Sequence, residues 1–124
     1  MKIWFDGGCR PNPGPMETAV VAAGTTHYRG ALGVGDNNDA EWLAVLHALA
    51  VARDHGADDI TLIGDSILVV NQASGRTRCR APRFRVYLDE YRALATLFRR
   101  IRIRHVNRSQ NLAGIALARI HERL

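Results

Sequence analysis

The fold is decided near the start of the chain by the apolar run Lys2-Ile-Trp-Phe-Asp6 and the turn-rich segment Gly7-Gly-Cys-Arg-Pro-Asn-Pro-Gly-Pro15. The apolar run predicts a β-strand that ends at Asp6. The glycines and prolines then predict a tight path away from the strand end. A second such run, Ile60-Thr-Leu-Ile-Gly64, precedes Asp65. Because open α/β sheets carry their chemistry at strand ends, the two acids indicate where a site would lie.

The rest of the chain predicts one α/β domain, residues 1–124. Two short strands, about 18–23 and 26–31, can form an antiparallel meander with the first. Asn37 or Asn38 is expected to cap a helix that continues to His55 and stops at Gly56. A short helix (66–73), a longer helix (82–98), a strand (101–106) and a last helix from residue 109 follow. The order βββαβααβα predicts a five-stranded mixed sheet flanked by helices.

Composition narrows the class of protein. The 124 residues are 47% hydrophobic and 23% charged, which is typical of a globular chain rather than a disordered one. No apolar stretch approaches the roughly 20 residues of a membrane helix, and Asp6 comes too early for a signal peptide. We therefore expect a cytoplasmic protein without a membrane partner, and a monomer by default. Cys9 and Cys79 have no partners at zinc-ligand spacing and are expected to be free thiols.

Positive charge is concentrated in one segment. The net charge is +5, but residues 76–108 carry eleven arginines against two acids, whereas residues 1–75 carry four bases against nine acids. The segment opens with Arg76, Arg78 and Arg80, and arginine offers planar donors that suit phosphate oxygens. For a single arginine, a solvated surface is the simpler interpretation. The cluster as a whole predicts a polyanionic partner, with nucleic acid as the leading candidate.

A third acid, Glu41, opens the first long helix, where the positive end of the helix dipole favours a carboxylate. Ala44 and Ala48 continue its ridge with small side chains that permit close approach to the sheet. If the strands ending at Asp6 and Asp65 are parallel neighbours, those ends lie about 4.8 Å apart and can share a cation. Each acid alone fits a cap or a solvated charge. Their joint placement predicts a metal site.

Four segments resemble the motifs of type 1 ribonucleases H, in order and across essentially the whole chain. The first is Phe5-Asp6-Gly-Gly-Cys-Arg-Pro-Asn12-Pro-Gly-Pro15, and the second is Asn38-Asp-Ala-Glu41-Trp-Leu-Ala44-Val-Leu-His-Ala48-Leu. The third is Gly64-Asp65-Ser66. The last, Arg108-Ser-Gln-Asn111-Leu-Ala-Gly-Ile115-Ala-Leu117-Ala118, resembles the family ending Arg-x-x-Asn-x-x-Ala-Asp-x-Leu-Ala. It departs at two positions, with Gly114 for alanine and Ile115 for the fourth active-site aspartate.

The resemblance implies a ribonuclease H-like fold and hydrolysis of the RNA strand of RNA/DNA hybrids, using two Mg²⁺ ions with Mn²⁺ as a possible substitute. Asp6 would bridge both ions, and Glu41 and Asp65 would hold the ion on the leaving-group side. The positions that match the family near its substrate are Gly7, Asn12, Asn38 and Ser66. Contacts to 2′-hydroxyls would distinguish RNA from DNA, and the preference for hybrid over double-stranded RNA rests on the resemblance alone.

Two arginine sites stand where this chain departs from many family members. The region of their basic helical protrusion is short here, and we expect Arg76, Arg78 and Arg80 to replace it as a surface for the hybrid. The loop before the last helix is also short, and Arg108 is expected to replace a mobile histidine that eases product release.

The missing fourth acid leaves two functions open. In the last helix Ala113, Leu117, Ile120 and Leu124 define the expected buried stripe, and Ile115 falls roughly opposite, toward the cleft. Asn111 is the nearest neutral oxygen donor, and residues 109–121 contain no acid. One hypothesis is an active ribonuclease H with a reduced rate. The alternative is a hybrid- or duplex-RNA-binding protein that has lost turnover. We favour the first, because Mg²⁺ can bind through one or two carboxylates plus phosphate.

Overall fold

A mixed β-sheet with helices on both faces forms the computed structural model, which describes residues 1–122. The strands are β1 (Lys2–Cys9), β2 (Gly14–Ala22), β3 (Thr25–Arg29), β4 (Val34–Gly35), β5 (Asp59–Gly64) and β6 (Arg100–His105). The helices are α1 (Asn37–Asp54), α2 (Ile67–Ser74), α3 (Pro82–Ala95) and α4 (Leu112–Glu122), with a 3₁₀ turn at Arg108–Gln110. The predicted α/β class is confirmed, and the two-residue β4 is the one added strand in the described part of the chain.

The sheet has the strand order β3-β2-β1-β5-β6, with β4 paired to β2. Strands β1 to β3 form the expected antiparallel meander, and β5 and β6 extend it in parallel. The prediction that the first strand ends at Asp6 is wrong, because β1 stays paired to β2 as far as Cys9. Its parallel ladder with β5 ends at Trp4. Asp6 therefore lies just beyond the parallel ladder, within a strand that β2 continues to support.

The main core lies between the sheet and α1. Ile3 and Phe5 of β1 pack with Trp42 and Leu49 of α1, all without solvent exposure. The ridge expected on α1, formed by Glu41 and the small residues Ala44, Ala48 and Ala52, is buried, and Ala40 is buried beside it. Small side chains on this face let the helix lie close to the strands that carry the acids.

The aromatic residues of the arginine-rich segment belong to this core. Phe84 and Tyr91 are buried in it, and Tyr87 packs against it while its ring stacks on Trp42. The aromatics therefore anchor α3, whereas the arginines around them remain exposed.

The start of α1 is fixed by a capping box that the sequence prediction misplaced. Asp36, rather than Asn37 or Asn38, is the N-cap, since its side chain accepts from Asp39 N and the Asp39 side chain accepts from Asp36 N. Asn37 is thereby free to accept from Cys9 N through Oδ1, at 3.1 Å. That bond ties the first turn of α1 to the end of β1. Gly56, with φ +67°, follows the helix end as predicted.

Helix α4 packs on the other face of the sheet, against β1 and β2. Successive residues of β2 show the two faces: Thr18 bonds to His47 of α1, whereas Glu17 bonds to His121 of α4. Of the predicted buried stripe of α4, Ala113 and Leu117 are buried and Ile120 is half-buried, while Leu124 lies outside the described residues. No helix within residues 1–122 is long and apolar enough to cross a membrane.

Candidate active site

Three carboxylates meet at one edge of the sheet. Asp6, Glu41 and Asp65 each offer an oxygen, and these oxygens lie within 4.8 Å of one another. The parallel register explains the meeting of the two aspartates, because Trp4 lies opposite Ile63 and two further residues on each strand lead to Asp6 and Asp65. The structure thus brings together the three acids that the sequence singled out.

Gly7 lets α1 approach β1 closely enough to deliver Glu41. A Cβ atom at this position would lie 2.1 Å from the carbonyl oxygen of Ala40, a distance that no side chain can occupy. With the two backbones in contact, Gly7 N–H donates to Glu41 Oε1 at 2.6 Å. Gly7, expected near substrate, therefore also fixes the position of an acid.

Burial makes the acids of this cluster unusual. The pKa of Glu41 lies well above its ordinary value, because burial removes water from the carboxylate and because Asp6 and Asp65 repel it. Burial also raises the pKa of Asp6, helped by repulsion from Asp65 and opposed by its contact with Glu41. Glu41 is 6% exposed, and its Oε2 has no hydrogen-bond partner within the described part of the chain.

An unpartnered, buried carboxylate oxygen beside two further acids is a costly arrangement without a counter-charge. A divalent cation with oxygen ligands would satisfy it. The donor set fits such an ion, since it holds carboxylates and neither histidine nor cysteine.

Asn111 is not the neutral oxygen donor that the sequence suggested. It is fully buried, and its amide nitrogen donates to Phe5 O and to Asp65 Oδ2, each at 3.0 Å. Its Oδ1 is taken by Ala113 N at 3.1 Å, at the start of α4. Asn111 therefore orients Asp65 and joins α4 to β1, and its side chain is not exposed to solvent.

The acids open into a cleft of about 350 Å³. Of the residues expected near substrate, Gly7, Asn38, Ser66 and Arg108 border this cleft. Asn12 lies outside its lining and accepts instead from Asn37 N at 3.2 Å, which holds the β1–β2 turn against α1. Ser66 also caps α2 by accepting from Val69 N.

Two charged residues of the cleft were not among the predicted site residues. Arg10 borders it from the β1–β2 turn and Glu17 from β2. The position of Glu17 follows only from the strand register. The pairing of Gly8 with Glu17 places the Glu17 side chain on the same face of the sheet as that of Asp6. Arg10 and Arg108 supply positive charge on the side of Asp6 nearest α4.

Ile115, expected to face the cleft, lies beside the residues of α4 that border it rather than among them. The α4 residues that border the Asp6 side are Gly114, Leu117 and Ala118, and a Cβ at Gly114 would lie 3.5 Å from Asp6 Oδ2. Ile115 is half-buried on the flank of that stripe, one residue and about 100° around the helix from Gly114. Between Leu112 and Glu122 the helix has one acid, the exposed Glu122 at its far end. Helix α4 thus brings no carboxylate to this cleft.

The arginine segment forms a second basic site. Arg78 and Arg80 border a cavity of about 580 Å³ together with Arg85 and Arg92 of α3. None of the three acids lines it, and Arg76 is exposed outside its lining. The expected arginine surface is therefore separate from the carboxylate cleft.

Comparison with known proteins gives the chain clear relatives. A family model described as Reverse transcriptase-like matches residues 20–121. The Ribonuclease HI of Halobacterium salinarum is 38% identical, over 95% of this chain and 62% of that protein. The Bifunctional protein Rv2228c of Mycobacterium tuberculosis is 35% identical, over 94% of this chain and 34% of that protein. The chain spans less than two thirds of the length of these curated relatives.

Solved structures agree over most of the chain. The crystal structure of RNase H1 from H. salinarum has a TM-score of 0.84 at 36% identity, covering 94% of this chain and 92% of that one. The N-terminal RNase H domain of Rv2228c has a TM-score of 0.82 at 32% identity, covering 98% and 96%. LC11-RNase H1, isolated from compost by a metagenomic approach and solved in complex with an RNA/DNA hybrid, has a TM-score of 0.79 at 25% identity, covering 94% and 91%.

Proposed function

The chain belongs to the type 1 ribonuclease H family, and from this premise we propose that it is an endoribonuclease that hydrolyses the RNA strand of RNA/DNA hybrids. The observation that carries the proposal is the cluster of Asp6, Glu41 and Asp65, whose oxygens lie within 4.8 Å of one another. Oε2 of Glu41 belongs to the same cluster, and it has no hydrogen-bond partner among the described residues. This oxygen is therefore available to bind a cation. The hybrid bound by LC11-RNase H1 supports the substrate class.

We assign the cluster to two Mg²⁺ ions, with Mn²⁺ as a substitute, since both prefer carboxylate ligands. Bound there, the cations would activate the attacking water and stabilise the leaving oxygen of the phosphodiester. Asp6 would contribute to holding both ions, as the family resemblance implies, and its carboxylate lies within 4.8 Å of those of both other acids. Glu41, held by Gly7 N–H, and Asp65, held by the Asn111 amide, are assigned to the leaving-group side.

The raised pKa values of Asp6 and Glu41 have a consequence for this assignment. Cation binding requires both carboxylates to be ionised, so it must displace protons that burial favours. Metal affinity, and with it the rate of cleavage at limiting Mg²⁺, is therefore expected to rise with pH. Arg108 moderates the effect, since its charge lowers the pKa of Asp6.

Positive charge around the cleft is proposed to hold the duplex. Arg10 and Arg108 border the cleft and are assigned to phosphates of the cleaved strand, beside Asn38 and Ser66. The cavity of Arg78, Arg80, Arg85 and Arg92 is assigned, with Arg76 outside it, to phosphates of the duplex away from the cleavage point. Arg108 is also proposed to ease release of the cleaved product.

A second function is favoured by one observation, the lack of a carboxylate from α4 in the cleft. It is a hybrid- or duplex-RNA-binding protein without turnover. Cytoplasmic location and a monomeric state stay predictions from the sequence.

A cleavage assay distinguishes the two functions. The chain is incubated with RNA/DNA, RNA/RNA and DNA/DNA duplexes of one sequence, in Mg²⁺ and in Mn²⁺, and each strand is labelled in turn. We expect shortening of the RNA strand of the hybrid alone. Equal cleavage of RNA/RNA would assign the activity to double-stranded RNA. Tight hybrid binding without cleavage in either metal would favour the second function.

A further inference from the structure

The carboxylate cleft contains a fourth acid, Glu17 of β2. It is 8% exposed and borders the same cleft as Asp6, Glu41 and Asp65. In the antiparallel register Gly8 lies opposite Glu17 and Asp6 lies opposite Ala19. Because opposed residues point to the same face of a sheet, the side chains of Glu17 and Asp6 leave the same face as diagonal neighbours.

The strand that carries Asp6 has no side chain directly opposite Glu17. Diagonal neighbours on paired strands are about 7–8 Å apart, which a glutamate side chain can span to reach an ion beside the partner. Gly8, directly opposite Glu17, has no side chain, and a Cβ there would meet only Asn37 Oδ1, at 3.7 Å. Strand β1 therefore places no side chain between Glu17 and Asp6.

Glu17 also lies on the side of the cleft that α4 leaves without an acid. Its Oε1 bonds to Nε2 of His121, one helical turn beyond Leu117, which borders the cleft. Its Oε2 accepts from the hydroxyl of Tyr28 at 2.9 Å. The carboxylate is thus held between β3 and α4, on the flank of Asp6 opposite α1.

We propose that Glu17 supplies the fourth carboxylate of this cleft and binds the cation on the α4 side of Asp6, in place of the acid that α4 lacks. The inference rests on the proposed function, since it assigns a ligand to the same metal site. Each carboxylate oxygen has two acceptor positions, so Tyr28 and His121 orient the group while leaving a position for a cation. Mg²⁺ retains several waters, so contact through one water also serves.

A purely structural role is the competing explanation, in which Glu17 only fastens α4 to the sheet through His121. The two roles differ in what Glu17→Gln removes. Glutamine keeps the size of the side chain and an acceptor for Tyr28, but it loses the charge that a cation needs. The matched control is Glu90→Gln, which removes the same charge from the exposed face of α3.

The test counts bound Mn²⁺ by electron paramagnetic resonance in the presence of excess RNA/DNA hybrid, with the Mn²⁺ held by hybrid alone subtracted. We expect Glu17→Gln to bind one ion fewer than the parent and Glu90→Gln, and to cleave the hybrid at least tenfold more slowly. Adding Ile115→Asp to Glu17→Gln is expected to restore both, which a merely structural loss would not permit.

Equal Mn²⁺ counts in the parent and Glu17→Gln would overturn the inference and leave the proposed function standing if the parent cleaves. A parent that binds no Mn²⁺ and cleaves no duplex would overturn both. If Glu17→Gln does not fold, Glu17→Asp decides, because it keeps the charge and shortens the reach. Mn²⁺ affinity unchanged in Glu17→Asp would then contradict a ligand role.

Discussion

The two sides of the carboxylate cleft are built in different ways. On one side β1, β5 and α1 bring Asp6, Asp65 and Glu41 together, and backbone and amide donors hold the latter two. On the other side α4 borders Asp6 with small and apolar residues, and the acid there is Glu17 from β2. The junction of the sheet and α1 therefore assembles a cluster of three carboxylates without any contribution from α4.

We call the side formed by β1, β5 and α1 the complete side. Without a cation, its buried carboxylates are electrostatically unfavourable. A raised carboxylate pKa means that the folded chain binds a proton more readily than the unfolded chain. The stability from Asp6 and Glu41 is therefore present below their ordinary values of 3.8 and 4.5 and is lost as the pH rises above them. At neutral pH the metal-free acids destabilise the fold, as is common at functional sites.

Gly7→Ala should break the complete side and give the largest effect. The new Cβ would overlap the carbonyl of Ala40, which is backbone and cannot rotate away. We expect a loss of about 3 kcal/mol in the free energy of unfolding, measured in urea, because the helix must shift. Displacement of Glu41 should lower hybrid cleavage about 10²-fold or more. Gly8→Ala is the control for stability, since its Cβ would meet nothing closer than 3.7 Å. Equal free energies of unfolding for the two variants would contradict the role of Gly7.

Removing the basic cavity should weaken binding and leave both sides of the cleft intact. Replacement of Arg78 and Arg80 by Ala is expected to weaken hybrid binding about 10-fold or more and to reduce the salt slope by about 1 for each phosphate that an arginine no longer neutralises. Cleavage at saturating hybrid should be unchanged. The control replaces the exposed Arg53 and Arg119. A lower maximal rate than that of the parent, without a loss of affinity, would instead show that the cavity contributes to the catalytic step.

Ile115→Asp should repair the weaker side, which α4 borders. An acid next to Gly114 adds charge near Asp6, and it also favours the first turn of α4 by about 0.3–1 kcal/mol through the helix dipole. We expect about a tenfold gain in Mg²⁺-dependent cleavage, corresponding to about 1.4 kcal/mol. Ile115→Asn matches the aspartate in shape but lacks its charge. A gain of the same size in Ile115→Asn would show that removing the apolar side chain, rather than adding a ligand, is responsible.

Substitution of His47 should have the smallest effect. His47 is a buried residue of α1, the helix that carries Glu41. Burial, with the charge of Arg29 and His27, lowers the pKa of His47 from 6.5 to about 4. The unfolded chain therefore takes up the proton first, so the stability present above pH 6.5 should fall as the pH drops toward 4. Urea unfolding across this range should show a flatter pH profile for His47→Gln than for the parent. His55→Gln, at an exposed position, should keep the slope of the parent.

The parts of the fold that depend on local patterns could be predicted from the sequence. The apolar runs before Asp6 and Asp65 defined two strands, and the alanine ridge of α1 predicted its burial. Parallel pairing of these strands then accounts for the meeting of the two aspartates. The continuation of β1 beyond Asp6 was not predictable, because it depends on long-range pairing with β2.

The parts of the site that depend on tertiary contacts could not be predicted. Asn111 looked like a free oxygen donor, but its oxygen caps α4 and its amide orients Asp65. Ile115 looked as if it faced the cleft, yet the packing of α4 on β1 turns Gly114 toward Asp6. Glu17 was not predicted as a site residue, because its proximity to Asp6 results from strand register rather than from sequence spacing.

If Asp6, Glu41 and Asp65 form a divalent-cation site that cleaves RNA in hybrids, cleavage of the RNA strand in Mg²⁺ depends on Asp6. Cleavage rates of the parent and of Asp6→Asn measure this dependence. We predict that the parent cleaves and that Asp6→Asn, while still binding the hybrid, is slower by about 10³-fold, since loss of the shared ligand removes several kcal/mol of transition-state stabilisation. Cleavage that survives Asp6→Asn would contradict the metal site. A parent that binds hybrid without cleaving it, while Ile115→Asp cleaves, would contradict activity without a carboxylate from α4.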